Sequence, residues 1–87
     1  MSVRDYQAQF RDPKTQGEIM LRLFLEERPL SFTELAKLIK VEPSVVAGNC
    51  AELRSKGWIT RTEFEGRSRM ELTVHGTDAV RRMHPSA

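Results

Sequence analysis

Apolar residues recur along this chain in blocks of helical period, then in two short β-type runs, then in a helical block again. Val3, Tyr6 and Phe10 stand three and four apart, and Ser2 with Asp5 three residues on resembles a capping arrangement. Residues 2–10 are therefore predicted to form a short amphipathic helix. Asp12-Pro13 interrupts it, because the residue before a proline avoids the α region while Pro13 suits a first helical turn. From Pro13 or Thr15 to about Glu27, the residues Ile19, Met20, Leu21, Leu23, Phe24 and Leu25 leave only Glu18, Arg22 and Glu26 as a polar stripe. A helix apolar around most of its circumference must be covered on more than one side, which predicts the central core helix.

Arg28-Pro29 ends that helix, and Ser31 with Glu34 three residues on forms a capping box for the next. Leu30 and Leu35 fall where a hydrophobic staple would put them. Leu35, Leu38 and Ile39 make its core face, and small Ala36 lets the following helix approach closely. Lys40-Val41-Glu42 is the predicted turn, and Pro43 the first residue of a helix whose Val46, Cys50 and Leu53 face the core. Arg54 and Lys56 complement the dipole at its end, and Gly57 suits the left-handed conformation beyond it. Trp58 to Phe64 and Ser68 to Thr73 are β-branched and aromatic runs separated by Glu65-Gly66-Arg67, a hairpin signal. Ile59, Met70 and Leu72 should reach the core, with Trp58 packing beside them and Arg67 and Arg69 outside. Thr73 caps a last helix carrying Gly76, Ala79, Val80 and Met83 on one face, and the chain frays from His84.

Eighty-seven residues allow one domain and one modest core, which buries about 60 to 65% of the surface exposed by the unfolded chain and leaves no room for a deep active-site cavity. A composition 39% hydrophobic and 30% charged fits a folded chain. No apolar run approaches the roughly 20 residues that span a bilayer, and MSVRDYQAQF lacks a signal-peptide core, so a cytoplasmic location is expected. Cys50, the one cysteine, excludes an internal disulfide and a Cys-based zinc site, and its register predicts a core role. His75 and His84 have no acidic ligand at metal spacing, and no metal or cofactor is expected. Nothing pairs a nucleophile with a base and an orienting group, and no glycine loop could cradle phosphate, which argues against an enzyme. The net charge of +2 is modest, but from Arg54 onward seven basic residues face four acidic ones, Glu63, Glu65, Glu71 and Asp78. The positive excess thus lies at the hairpin end, a moderate footprint for a polyanion.

Glu34-Leu35-Ala36, then Val41 and Val46 around the turn, then Leu53-Arg54-Ser55-Lys56-Gly57-Trp58-Ile59, then Leu72-Thr73 with Gly76, form an ordered set. It resembles the winged helix-turn-helix of bacterial and archaeal transcriptional regulators, most closely the MarR type, over a little more than half the chain. The resemblance implies an α+β, mainly α fold: a three-helix core plus a β-hairpin wing, with short N- and C-terminal helices. It implies one winged-helix domain over residues 1–87, with the helix-turn-helix at 31–56 and the wing at 58–73. The implied function is transcriptional regulation through double-stranded DNA, with the helix over 43–56 in the major groove and the wing on backbone or minor groove. On this reading Ser44, Val45, Gly48 and Asn49 face base edges, Ser31, Thr33 and Lys37 touch phosphates, and Arg67, Ser68 and Arg69 are the wing contacts. Asn can bond adenine in two places, and arginine gains from the potential of a narrow minor groove. A homodimer would use the terminal helices, through Val3, Tyr6 and Phe10 together with the exposed side of the Ile19 to Leu25 helix.

Three positions depart from the pattern. The stretch from Ser44 to Asn49 has no Arg, Lys or Gln, so the commonest base contact, arginine to guanine, is missing. Lys40 occupies a turn position often held by glycine, where a left-handed lysine costs about 1 kcal/mol or more, so an altered turn is expected. The terminal helices through which the family dimerises are short. The small apolar strip Val45, Ala47, Gly48 and Ala51 supports an alternative, a winged-helix protein-protein interaction module with little or no DNA binding.

Overall fold

Caps and prolines set the helix starts in this protein, and a computed structural model of it describes residues 12–84. The helix expected over residues 2–10 lies outside that range. Helix α1 (Pro13–Glu26) begins at Asp12, whose carboxylate accepts from the Lys14 amide at 3.2 Å and the Thr15 hydroxyl at 2.6 Å. The Thr15 hydroxyl, ahead of the nearby amides, holds the Asp12 carboxyl below its ordinary range. Helix α2 (Phe32–Ile39) has the complete capping box: Ser31 Oγ accepts from the Glu34 amide at 3.1 Å, and Glu34 Oε1 from the Ser31 amide at 3.0 Å. Leu30 and Leu35, the staple pair, are both buried.

Lys40 does not alter the turn that follows. It takes the left-handed conformation itself (φ 61°, ψ 49°), and the Ala36 carbonyl accepts from the Lys40 amide and, at 3.1 Å, from that of Val41. Two hydrogen bonds on one carbonyl offset the steric cost of a side chain at positive φ. Pro43 then opens α3 (Pro43–Ser55), and Gly57 at φ 77° ends the turn beyond it.

The hairpin pairs β1 (Ile59–Phe64) with β2 (Arg67–Leu72) in antiparallel register from Ile59 opposite Leu72 to Phe64 opposite Arg67. Arg67 is thus paired and is not part of the loop. Only Glu65 and Gly66 connect the arms, both at positive φ, as in the type I′ turn whose twist matches that of the strands. Leu30 adds a third strand reduced to one residue, exchanging hydrogen bonds of 2.9 and 2.8 Å with Met70. Helix α4 (Val74–Met83) starts at Thr73, whose hydroxyl accepts from the Gly76 amide and donates to the Gly57 carbonyl.

The result is a mainly helical winged helix. Ile19, Met20 and Leu23 of α1 meet Leu35, Val46, Cys50, Leu53, Ile59, Met70 and Val80, all buried, and each large aliphatic side chain contributes about 1.5–3 kcal/mol by leaving water. Leu72 and Trp58 pack against this core half-buried. Helix α1 is less wrapped than its sequence predicts, since Leu25 is 54% exposed and the polar Thr15 and Gln16 are buried. Gly76 lies directly against the backbone of Trp58. A Cβ there would overlap the Trp58 carbonyl, lying 2.8 Å from its carbon, so only glycine lets α4 sit on the base of the wing.

Candidate nucleic-acid interface

The orientation of α3 follows from four residues at i, i+3, i+4 and i+7. Val46, Asn49, Cys50 and Leu53 are all fully buried, so the opposite side, with Ser44, Ala51, Arg54 and Ser55, faces solvent. Val45, Ala47 and Gly48 are half-buried along its flanks. Asn49 is therefore withdrawn from any base edge, contrary to the sequence expectation. Its side-chain carbonyl accepts from the Asp12 amide at 3.1 Å and from Gln16 Nε2 at 3.2 Å, and its amide donates to the Val45 carbonyl at 2.9 Å. Gln16 Oε1 in turn accepts from Lys56 Nζ at 3.3 Å, and that ammonium lies 5.1 Å from the centre of the Trp58 ring. A polar chain thus runs from the start of α1 through the middle and end of α3 to the root of the wing.

Beside the exposed face of α3 is a cleft of about 320 Å³, walled by Arg54 on the helix and by Arg61 and Ser68 on the hairpin, and floored by Phe32, Arg69 and Met70. The register explains it: Arg61 stands opposite Met70 and Glu63 opposite Ser68, so the face of the hairpin that enters the core at Ile59 and Met70 continues outward as a polar surface turned toward α3. Arg61 Nε donates to the Ser68 hydroxyl, and Arg61 Nη2 lies 4.0 Å from Glu63. Arg67 lies exposed at the outer end of β2. The arrangement suits anionic groups spaced along a backbone, because exposed arginines from two elements stand beside a helix face on which Ser44, Ala47, Ala51 and Ser55 are small.

The expected phosphate contacts are divided. Thr33 and Lys37, one turn apart on α2, are exposed. Ser31 is half-buried and committed to the cap, its oxygen accepting from the Glu34 amide and its hydroxyl lying against the Glu34 carboxylate. Arg69 departs from the expectation of a free wing contact. Its side chain is only 14% exposed, Nη1 donates to Glu34 Oε1 at 2.6 Å, and the guanidinium lies 5.4 Å from the Phe64 ring centre. Glu34 Oε2 also accepts from Arg28 Nη1 at 3.0 Å. The Ser31 amide, then Arg28 and Arg69, bring the Glu34 carboxyl down to about 2.

Arg54 and Arg61, which line this cleft, are not among the contacts expected from the sequence. The sequence ties Arg54 to the helix dipole, yet it lies three, seven and ten residues beyond Ala51, Ala47 and Ser44, and so on the same face. Arg61 stands two residues after Ile59 and so on the same face of the strand, a signal that needs the hairpin register to interpret. Cys50 is the core residue its spacing predicts, and burial pushes its thiol up to about 12, far from a reactive thiolate. Among the described residues, no three His, Cys, Asp or Glu side chains gather to hold a metal ion, and no helix is long and apolar enough to cross a membrane.

No family model and no curated protein matches the chain. Solved structures do match it. A MarR family protein from Bacillus stearothermophilus superposes with a TM-score of 0.68 at 18% identity, over 91% of this chain and 59% of that one. Bordetella bronchiseptica BpsR, whose DNA binding is regulated by 6-hydroxynicotinic acid, gives 0.67 at 17% identity over 94% and 65%. A protein of the thermoacidophilic archaeon Sulfolobus tokodaii gives 0.67 at 18% identity over 91% and 79%. The fold is thus the MarR-like winged helix that the sequence resembles. The chain spans less than two thirds of the Bacillus and Bordetella proteins.

Proposed function

We propose that this protein is a DNA-binding transcriptional regulator and not an enzyme, acting in the cytoplasm through a winged-helix domain that takes in the helix-turn-helix at 31–56 and the wing at 58–73. Helix α3 lies in the major groove, and the wing contacts backbone or minor groove. The observation that carries this reading is the cleft in which Arg54 of α3 meets Arg61 and Ser68 of the hairpin beside the small-residue face of the helix. Thr33 and Lys37 on α2 and Arg67 on the wing, all exposed, extend the contact along the phosphates, with Ser31, the cap of α2, beside them. Ser44 and the edges of Val45 and Gly48 meet bases, where only a hydroxyl and apolar contact with thymine methyls are available. A second copy of the chain packs through the terminal helices, and the exposed Leu25, Val74 and Met83 supply apolar surface for it.

The test is fluorescence anisotropy of the protein with a labelled random duplex from low to physiological salt. Affinity should fall steeply with salt, and Arg54→Ala and Arg61→Ala should each make the slope of log K against log salt shallower by about one. Absence of binding at low salt would refute the reading and turn attention to the small-residue face of α3 as a protein-docking surface.

A further inference from the structure

We propose that Glu34 and Arg69 form a latch that fixes the angle of the wing against the helix-turn-helix, making Glu34 a positioning residue for duplex binding. The role in binding rests on the DNA reading above; the latch itself does not. Besides packing Ile59, Met70 and Leu72 on the core, the hairpin beyond its base at Trp58 and Thr73 is hydrogen-bonded to the rest of the described residues at two adjacent points on β2. One is the Leu30–Met70 exchange of backbone hydrogen bonds at 2.9 and 2.8 Å. The other is Arg69, bonded to Glu34 at 2.6 Å and laid over Phe64, which stands across the hairpin. Glu34 is held rigidly for this task. Its Oε1 accepts from the Ser31 amide within the capping box, and its Oε2 accepts from Arg28, so the carboxylate cannot turn away without uncapping α2. Arg69 is equally committed, since its side chain is mostly covered and its Nε is buried with no hydrogen-bond partner among the described residues. Leaving a buried guanidinium nitrogen without an acceptor is costly, and the charged bond at its other end is what offsets it. Arg67, paired with Phe64, extends beyond this attachment, and Arg61 stands level with it opposite Met70, so the position of both relative to α3 depends on it.

The two roles open to Glu34 predict opposite signs. A plain acidic residue beside a basic cleft repels DNA, so neutralising it should tighten binding. A positioning residue loosens the wing when neutralised, so binding should weaken. Glu34→Gln separates these without unfolding α2, because glutamine also closes a capping box. The full chain would be compared as wild type, Glu34→Gln, Arg69→Met and the double variant. Two readouts are needed: anisotropy with the random duplex across salt, and amide hydrogen exchange at Leu30 and Met70 without DNA. Glu34→Gln should weaken duplex binding about five- to tenfold, flatten the salt slope as tip contacts are lost, and speed exchange at both amides. The double variant should be no worse than Arg69→Met alone, as expected of partners in one interaction. Tighter or unchanged duplex binding by Glu34→Gln would overturn its positioning role, and unchanged exchange would overturn the latch. A wild type that fails to bind the duplex would refute the DNA reading and with it the role in binding, while the exchange comparison would still decide the latch.

Discussion

Asn49→Ala is the substitution for which the sequence and the structure predict opposite results. On an exposed reading face, alanine would be neutral or slightly stabilising, since it is the better helix former by about 0.5 kcal/mol. In the structure Asn49 is fully buried and joins α3 to α1. Alanine would leave the buried Gln16 Nε2 without this acceptor, at about 1–3 kcal/mol, and the Asp12 amide, which is partly solvated, at less. It would also leave a void the size of an amide between the two helices, adding about 1 kcal/mol. Set against the gain in helix propensity, the net loss is about 2–4 kcal/mol. For a domain of this size each kcal/mol lowers the melting temperature by about 4–8 °C, so the midpoint should fall by roughly 10–25 °C. Thermal and urea unfolding followed by far-UV circular dichroism measure this directly, and Gln16→Leu with Asn49→Ala should cost less than the two separately because they share a bond. A variant that melts at or above the wild-type temperature, while losing discrimination between duplex sequences, would put Asn49 back on the reading face.

Gly76→Ala should also run against helix propensity. Although alanine gains about 1 kcal/mol in a helix, its Cβ would meet the Trp58 carbonyl, which also accepts from the Thr73 amide, so α4 must lift off the wing base at a net cost of about 2 kcal/mol or more, read from urea unfolding. Lys40→Gly should instead stabilise by about 0.5–1 kcal/mol, because φ 61° suits glycine and the Ala36 hydrogen bonds are retained; an unchanged or lowered urea midpoint would mean that lysine pays nothing in this turn. The Glu34 carboxyl is lowered from 4.5 to about 2 on folding, so its contribution is complete above about pH 4.5 and is lost as pH falls toward 2. With a third of the side chain exposed to solvent, screening leaves a full contribution of about 1–2 kcal/mol, and the difference in stability between wild type and Glu34→Gln should narrow by a little over half of that, about 0.5–1 kcal/mol, between pH 6 and pH 3, the rest going below pH 3.

Local signals carried the fold into the sequence well. The capping box at Ser31 and Glu34, the proline starts at Pro13 and Pro43, and the two β-type runs each specify a boundary through contacts within a few residues, and each boundary is found within a residue or two. The turn was harder to read, because whether lysine accepts a left-handed conformation depends on hydrogen bonds to Ala36 that no pattern displays. The candidate site was less legible for a similar reason. Periodicity does place Asn49 in the buried set, three after Val46 and four before Leu53, but an amide at that position reads as surface unless its partners are known. Those partners, Asp12 and Gln16, are more than thirty residues away.

Arg69 and Asn49 point to one physical cause for these reversals. A domain this small has few large apolar side chains to spare for every junction between elements, and two junctions, α1 with α3 and α2 with the wing, are closed by polar groups. Such groups hold direction as well as distance: a methylene contact tolerates sliding, whereas an amide accepting two hydrogen bonds or a guanidinium on a capped carboxylate does not. Both junctions set the angle of an element proposed to touch DNA. Side chains of the type expected at an interface are thus spent within the fold, and the proposed contact surface falls to Arg54, Arg61 and Arg67, beside small residues of α3 that would let a duplex come close.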